Sequence, residues 1–153
     1  MIKLPRTTLS PTQPVNVHAN LDLALKQITT RMPSIHVRTG PVISDPAASI
    51  ASTTIYTTSA VTQELGHFRV IITTLVTRVG TAGTVTATLN WNNGFAAQSV
   101  TGGVNNLTVL GGEALLSTPI FVGVGQTVSY STSVVGATGS PAYQVYVKLE
   151  FMS

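Results

Sequence analysis

The sequence contains no cysteine, which excludes disulfide frameworks, thiol catalysis and cysteine-ligated zinc. Charge is also scarce: only 8% of the 153 residues are Asp, Glu, Lys or Arg, against roughly 25% in ordinary soluble proteins. No apolar run reaches the roughly 18 residues of a membrane-spanning helix. The opening Met1-Ile2-Lys3-Leu4-Pro5-Arg6 lacks the apolar stretch of a signal peptide. Three histidines and five carboxylates leave few groups for acid–base or metal chemistry. What the chain does have is apolar content: 43% of its residues are hydrophobic, too many for a disordered chain and enough for one domain with its own core.

The shortage of charge is uneven. No charged side chain lies between Arg78 and Glu113, nor between Glu113 and Lys148. A freely diffusing domain usually keeps a quarter or more of its surface charged for solubility, so here Thr, Ser, Asn and Gln must supply the polar coat, or other subunits must cover it. We therefore expect an assembly subunit. Closed cyclic symmetry is the usual way to bury such a surface, and a homotrimer is the expected form.

Two compositional halves follow each other. Residues 1–46 hold six of the eight prolines and one glycine, Gly40, whereas twelve of the thirteen glycines lie from Gly66 onward. Lys3, Arg6, Lys26, Arg31 and Arg38 against Asp22 and Asp45 leave the first segment three positive charges, which is the net charge of the whole chain. Proline fixes φ and cannot donate to a ladder, so residues 1–46 read as an extended arm rather than sheet, although the first strand could equally be drawn from it. One short helix is expected inside the arm, over about 20–32. Asn20 is a fair N-cap, Leu21, Leu25, Ile28 and Met32 form one helical stripe, and Pro33 ends it. A helix this short is marginal alone and needs a surface to dock on. Lys3, Arg6, Leu21, Leu25, Ile28, Arg31, Met32 and Arg38 are the candidate partner-docking residues.

Residues 47–153 read as an antiparallel β-sandwich domain, jelly-roll-like, with about eight strands: 53–57, 67–79, 84–91, 95–100, 105–110, 118–122, 127–134 and 142–151. Phe68, Val70, Ile72, Thr74 and Val76 alternate with Arg69, Ile71, Thr73, Leu75 and Thr77. Val85, Ala87, Leu89 and Trp91 alternate with Thr84, Thr86, Thr88 and Asn90. Tyr143, Val145, Val147, Leu149 and Phe151 alternate with Gln144, Tyr146, Lys148 and Glu150. Glycine pairs and clusters punctuate these runs, and Asn93-Gly94 is the strongest hairpin signal.

Motifs of chemistry are lacking. Glu64 and His67 have an i, i+3 spacing, but Gly66 and the strand pattern after it suit a turn carboxylate and a strand-entry histidine. Gly123-Val124-Gly125 opens like a dinucleotide fingerprint, yet a strand pattern follows where a helix is required. No enzymatic activity, cofactor or metal is expected. A pI of about 9.6 raises nucleic acid, but five basic residues in the arm, with two acids among them, make a thin footprint for phosphate contacts. We expect neither nucleic acid nor membrane as a partner. Trp91 with Asn90, Asn92 and Asn93 near a hairpin tip suits a sugar site, whereas the alternation puts Trp91 on the core face with Val85 and Leu89.

Two stretches carry a family resemblance. Gly123-Val124-Gly125-Gln126-Thr127-Val128-Ser129-Tyr130-Ser131-Thr132, with Ala142-Tyr143-Gln144-Val145-Tyr146-Val147-Lys148-Leu149-Glu150-Phe151 after a Gly/Ala loop, resembles the C-terminal strands of small tailed-bacteriophage virion proteins. The upstream layout Thr54-Ile55-Tyr56-Thr57, Gly66-His67-Phe68-Arg69-Val70 and Thr86-Ala87-Thr88-Leu89-Asn90-Trp91 resembles them too. The likeness spans about residues 53–151 and is one of strands and loops, without a signature motif. It implies a β-sandwich or jelly roll, often trimeric, located in the virion as a capsid decoration (cement) protein that binds other virion proteins such as the major capsid protein. A tail-fibre, head-fibre or baseplate subunit, with receptor- or carbohydrate-binding loops, is the alternative.

Overall fold

The computed structural model describes residues 37–61 and 65–152. The chain divides into two units, Met1–Pro33 and Ser34–Ser153. The expected helix over about 20–32 lies outside the described residues.

The second unit is all-β. Its eight strands are β1 (Val37–Ser44), β2 (Thr53–Thr57), β3 (Gly66–Arg78), β4 (Ala82–Asn92), β5 (Ala97–Asn106), β6 (Glu113–Val122), β7 (Thr127–Thr138) and β8 (Ala142–Met152). They form two antiparallel four-stranded sheets. Sheet A has the order β1-β8-β3-β6, and sheet B has the order β2-β7-β4-β5.

The period-two pattern decides which residues lie between the sheets. Phe68, Val70, Ile72 and Val76 of β3 are buried, as are Tyr143, Val145, Val147 and Leu149 of β8, and Leu116, Ile120 and Val122 of β6. Sheet B answers with Val85, Ala87 and Leu89 of β4 and Val128 and Tyr130 of β7. Phe68 stands at the centre of an aromatic group, 5.7 Å from Tyr56 and 5.5 Å edge-on from Phe151 between ring centroids. Each side chain of this size removes about 1.5–3 kcal/mol of apolar exposure from water, so the alternation alone suffices to orient the strands.

The strand count agrees with the sequence reading, but the membership differs in two places. Residues 37–44, read as part of an arm, form β1 and pair with β8 from Val37↔Leu149 to Ser44↔Tyr143. Pro41 is tolerated because β1 is an edge strand and the register shifts between Thr39 and Val42, so no ladder bond is required of it. The expected separate strands 95–100 and 105–110 are instead one strand, β5, followed by the turn at 107–112. Gly102-Gly103 looks like a turn in sequence. In the fold it is a bulge, set where the β4–β5 register shifts between Thr86 and Thr88. A Cβ on Gly102 would lie 3.1 Å from the Leu116 Cβ, so a larger residue there would push the core side chain back by a few tenths of an ångström.

Three polar clusters tie loops to the strands. Along the β1–β2 crossover, the Tyr143 hydroxyl donates to the Ala48 carbonyl at 2.6 Å and meets the Thr132 Oγ1 at 2.6 Å, while the Ile50 N–H donates to Thr132 Oγ1 at 2.9 Å. Arg78, at the end of β3, pairs with Asp45 and donates from Nε to the Ser140 carbonyl at 2.7 Å. Near the β5–β6 turn, buried Asn105 donates from Nδ2 to the carbonyls of Thr74 (3.0 Å) and Gly112 (2.9 Å).

Candidate interaction surface

The outward-facing residues of the two sheets differ in kind. Every charged or histidine residue in the eight strands belongs to sheet A: Arg38 on β1, His67, Arg69 and Arg78 on β3, Glu113 on β6, and Lys148 and Glu150 on β8. Sheet B has none. Its solvent face is a carpet of small polar residues, in which Thr84, Thr86, Thr88 and Asn90 of β4 lie between Val135, Ser133, Ser131 and Ser129 of β7 and Asn106, Val104, Thr101 and Ser99 of β5. The Thr88 and Thr101 hydroxyls stand 3.3 Å apart across the pair. Valine at 104 and 135 is exposed at one end of the carpet.

Sheet A's outer face mixes charge with apolar surface. Ile43, Gln144, Leu75 and Glu113 form one cross-strand row, and Tyr146, Thr73 and Leu115 the next. Ile43 and Leu115 are both 61% exposed. Lys148 and Glu150 form an ion pair along β8, and the His67 ring lies 5.0 Å from that of Phe121. His67 is thus a surface strand-entry residue, while Glu64 lies outside the described residues.

The loops at one end carry a second surface feature. Asn92 Oδ1 accepts from Gly94 N–H at 2.8 Å, and Asn93 Oδ1 accepts from the N–H groups of Phe95 and Ala96, both at 2.9 Å. These bonds build the β4–β5 hairpin tip that Asn93-Gly94 predicts. Gly94, at φ +92°, packs against Gly123, where a Cβ would stand 2.6 Å from the Gly94 backbone. The tip presents Phe95 with 94% of its surface exposed. The sequence gives no sign that this phenylalanine is left out of the core, because hairpin-tip residues lie outside any alternation. Trp91 packs against the core cluster on the inner side of β4, and the amide carbonyls of Asn92 and Asn93 are used by the turn itself. The four residues considered for a sugar site do not converge.

Among the described residues no group of three or more His, Asp or Glu could hold a metal ion, and no helix is long and apolar enough to cross a membrane. Gly123-Val124-Gly125 forms the turn between β6 and β7. Of the candidate docking residues, Lys3, Arg6, Leu21, Leu25, Ile28, Arg31 and Met32 lie outside the described residues, and Arg38 sits on β1 opposite Lys148.

No protein-family model and no curated protein matches the chain. Among solved structures it is similar to two pentameric capsid proteins isolated from metagenomic phage sequences. One is 14% identical with a TM-score of 0.32, over 95% of this chain and 79% of the other. The second is 13% identical with a TM-score of 0.31, over 95% and 86%.

Proposed function

We propose that the chain is a non-enzymatic virion structural protein, a capsid decoration protein that binds and stabilises a phage head as a homotrimer. The observation that carries this reading is the strand order. Two antiparallel sheets ordered β1-β8-β3-β6 and β2-β7-β4-β5 support reading the sandwich as a jelly roll, an architecture recurrent in viral capsid domains and lectins. The charge-free outer face of sheet B supports assembly over free diffusion, since a surface of that kind costs little to cover with a neighbouring subunit. The major capsid protein is the partner this reading requires. The arm, through Lys3, Arg6, Leu21, Leu25, Ile28, Arg31, Met32 and Arg38, is the part proposed to hold it.

A second reading, a tail-fibre, head-fibre or baseplate subunit, draws on Phe95. A rigid hairpin that exposes one aromatic side chain suits recognition of a receptor by its loops. A map of the intact particle separates the two readings: density for this chain over the head in hundreds of copies supports decoration. A few dozen copies or fewer, at the neck, tail or fibre, support the second, and no density anywhere overturns both.

A further inference from the structure

Edge strands offer unpaired N–H and C=O groups to other chains, and native sheets blunt them by brevity, charge, proline or bulges. Three of the four sheet edges here are blunted in that way. β1 contains Pro41 and a register shift, β2 is five residues long with a shift between Thr54 and Tyr56, and β6 begins at Glu113 and contains Pro119. β5 differs. From Ala97 to Thr101 it runs in unbroken register along β4, and its bulge comes only afterwards, at Gly102-Gly103. This stretch has no charge and no proline, and all of it but half-buried Val100 is exposed. Among the described residues, only β4 is hydrogen-bonded to it within the sheet.

We propose that this edge is a pairing site for a second copy of the same chain, with Ala97–Thr101 of two copies running antiparallel about a two-fold axis at Ser99. The occupant is argued from charge. In a two-fold pairing the residue on the axis meets its own copy and its neighbours cross over to one another, so any charge near the axis would face like charge. Sheet B has no charged residue in any of its four strands, so two copies join into one eight-stranded sheet without repulsion. Ser99 faces itself, Gln98 meets Val100 and Ala97 meets Thr101. The hydroxyl carpet of each copy then continues into that of the other. The inference is independent of the virion reading. It is also compatible with a trimer formed through another surface, because a three-fold axis perpendicular to this two-fold closes six chains.

The chain's lack of cysteine makes the test direct. Ser99→Cys in the full chain supplies a single thiol, and pairing about position 99 puts the two Cβ atoms about 4.5–5.5 Å apart, close to disulfide range. Under mild oxidation this variant is expected to crosslink into a dimer at least about tenfold faster than Ser117→Cys, an equally surface-placed control on β6. Ser99→Lys, which sets two ammonium groups against each other, is expected to halve the particle mass seen by light scattering with an unchanged circular dichroism spectrum. The mass falls from two chains to one, or from six to three where the trimer also forms, so failure of the trimer reading is visible separately. Crosslinking of Ser99→Cys no faster than the control, or a mass unmoved by Ser99→Lys, overturns the pairing.

Discussion

At the residue scale, two buried tyrosines of sheets A and B set contrasting conditions on stability. Tyr143 is fully buried with its hydroxyl bonded to Ala48 and Thr132, whereas the buried Tyr130 hydroxyl makes no hydrogen bond of good geometry. Removing a bonded hydroxyl strands its partners, and removing an unbonded one relieves a desolvated group. Tyr143→Phe is therefore expected to cost about 1–3 kcal/mol in urea denaturation, while Tyr130→Phe is neutral or stabilising. Burial raises the pKa of both phenols above 10.0, and at Tyr143 hydrogen bonding from Thr132 and Ser44 offsets part of that rise. A raised phenol pKa favours the neutral form in the fold, so its contribution is complete below pH 10 and is lost as pH climbs through the folded values. The urea midpoint should fall as pH rises above about 10, and fall less in Tyr143→Phe. A midpoint constant across that range would contradict the assignment.

At the element scale, glycine and asparagine decide where strands turn and where they bulge. Asn93-Gly94 is readable from sequence because its chemistry is local: the side-chain carbonyl caps the turn's own N–H groups. Gly102-Gly103 is not, because its reason is Leu116 on another strand in the other sheet. Asn105 has the same non-local character, donating to Thr74 and to Gly112 from a buried position. Asn105→Ala should cost about 1–3 kcal/mol, read as a lower thermal midpoint, since the buried Thr74 carbonyl loses the Asn105 donor and the Gly112 carbonyl is left with the Val76 N–H. Gly123→Ala should lower the midpoint as well, because its methyl would press on Gly94, and it should shift the amide resonances of the Phe95 tip. Phe95→Ser, by contrast, should leave the midpoint within about 0.5 kcal/mol of the parent, as expected of a side chain that packs against little.

At the scale of the molecule, the charges of the eight strands gather on one sheet, and the placement of β1 sets the boundary for truncation. Deletion of residues 1–33 leaves every described strand in place, and the remainder should keep its β-type circular dichroism spectrum. Deletion of residues 1–46 also removes β1 and uncovers the edge of β8, so it should aggregate or melt at lower temperature. If the shorter deletion unfolds the protein, the second unit does not stand alone. The proposed attachment to a phage head predicts that binding of the full chain to particles lacking it weakens as salt rises, in keeping with the three net positive charges of residues 1–45, and that the 1–33 deletion flattens that dependence.

Which side chains enter the core was decided by the sequence itself. Phe68 to Val76, Val85 to Leu89 and Tyr143 to Leu149 alternate because a strand sends successive residues to opposite faces, a rule that needs no knowledge of the partner strand. Strand order, the edge positions of β1 and β5 and the gathering of every strand charge on sheet A belong to the tertiary structure alone. Val37–Ser44 looks like arm until β8 is beside it, and Gly102-Gly103 looks like a turn until Leu116 is beneath it. The physical reason is the same in both cases. Pairing and packing join residues far apart in the chain, and their free energy depends on neighbours that local composition does not specify.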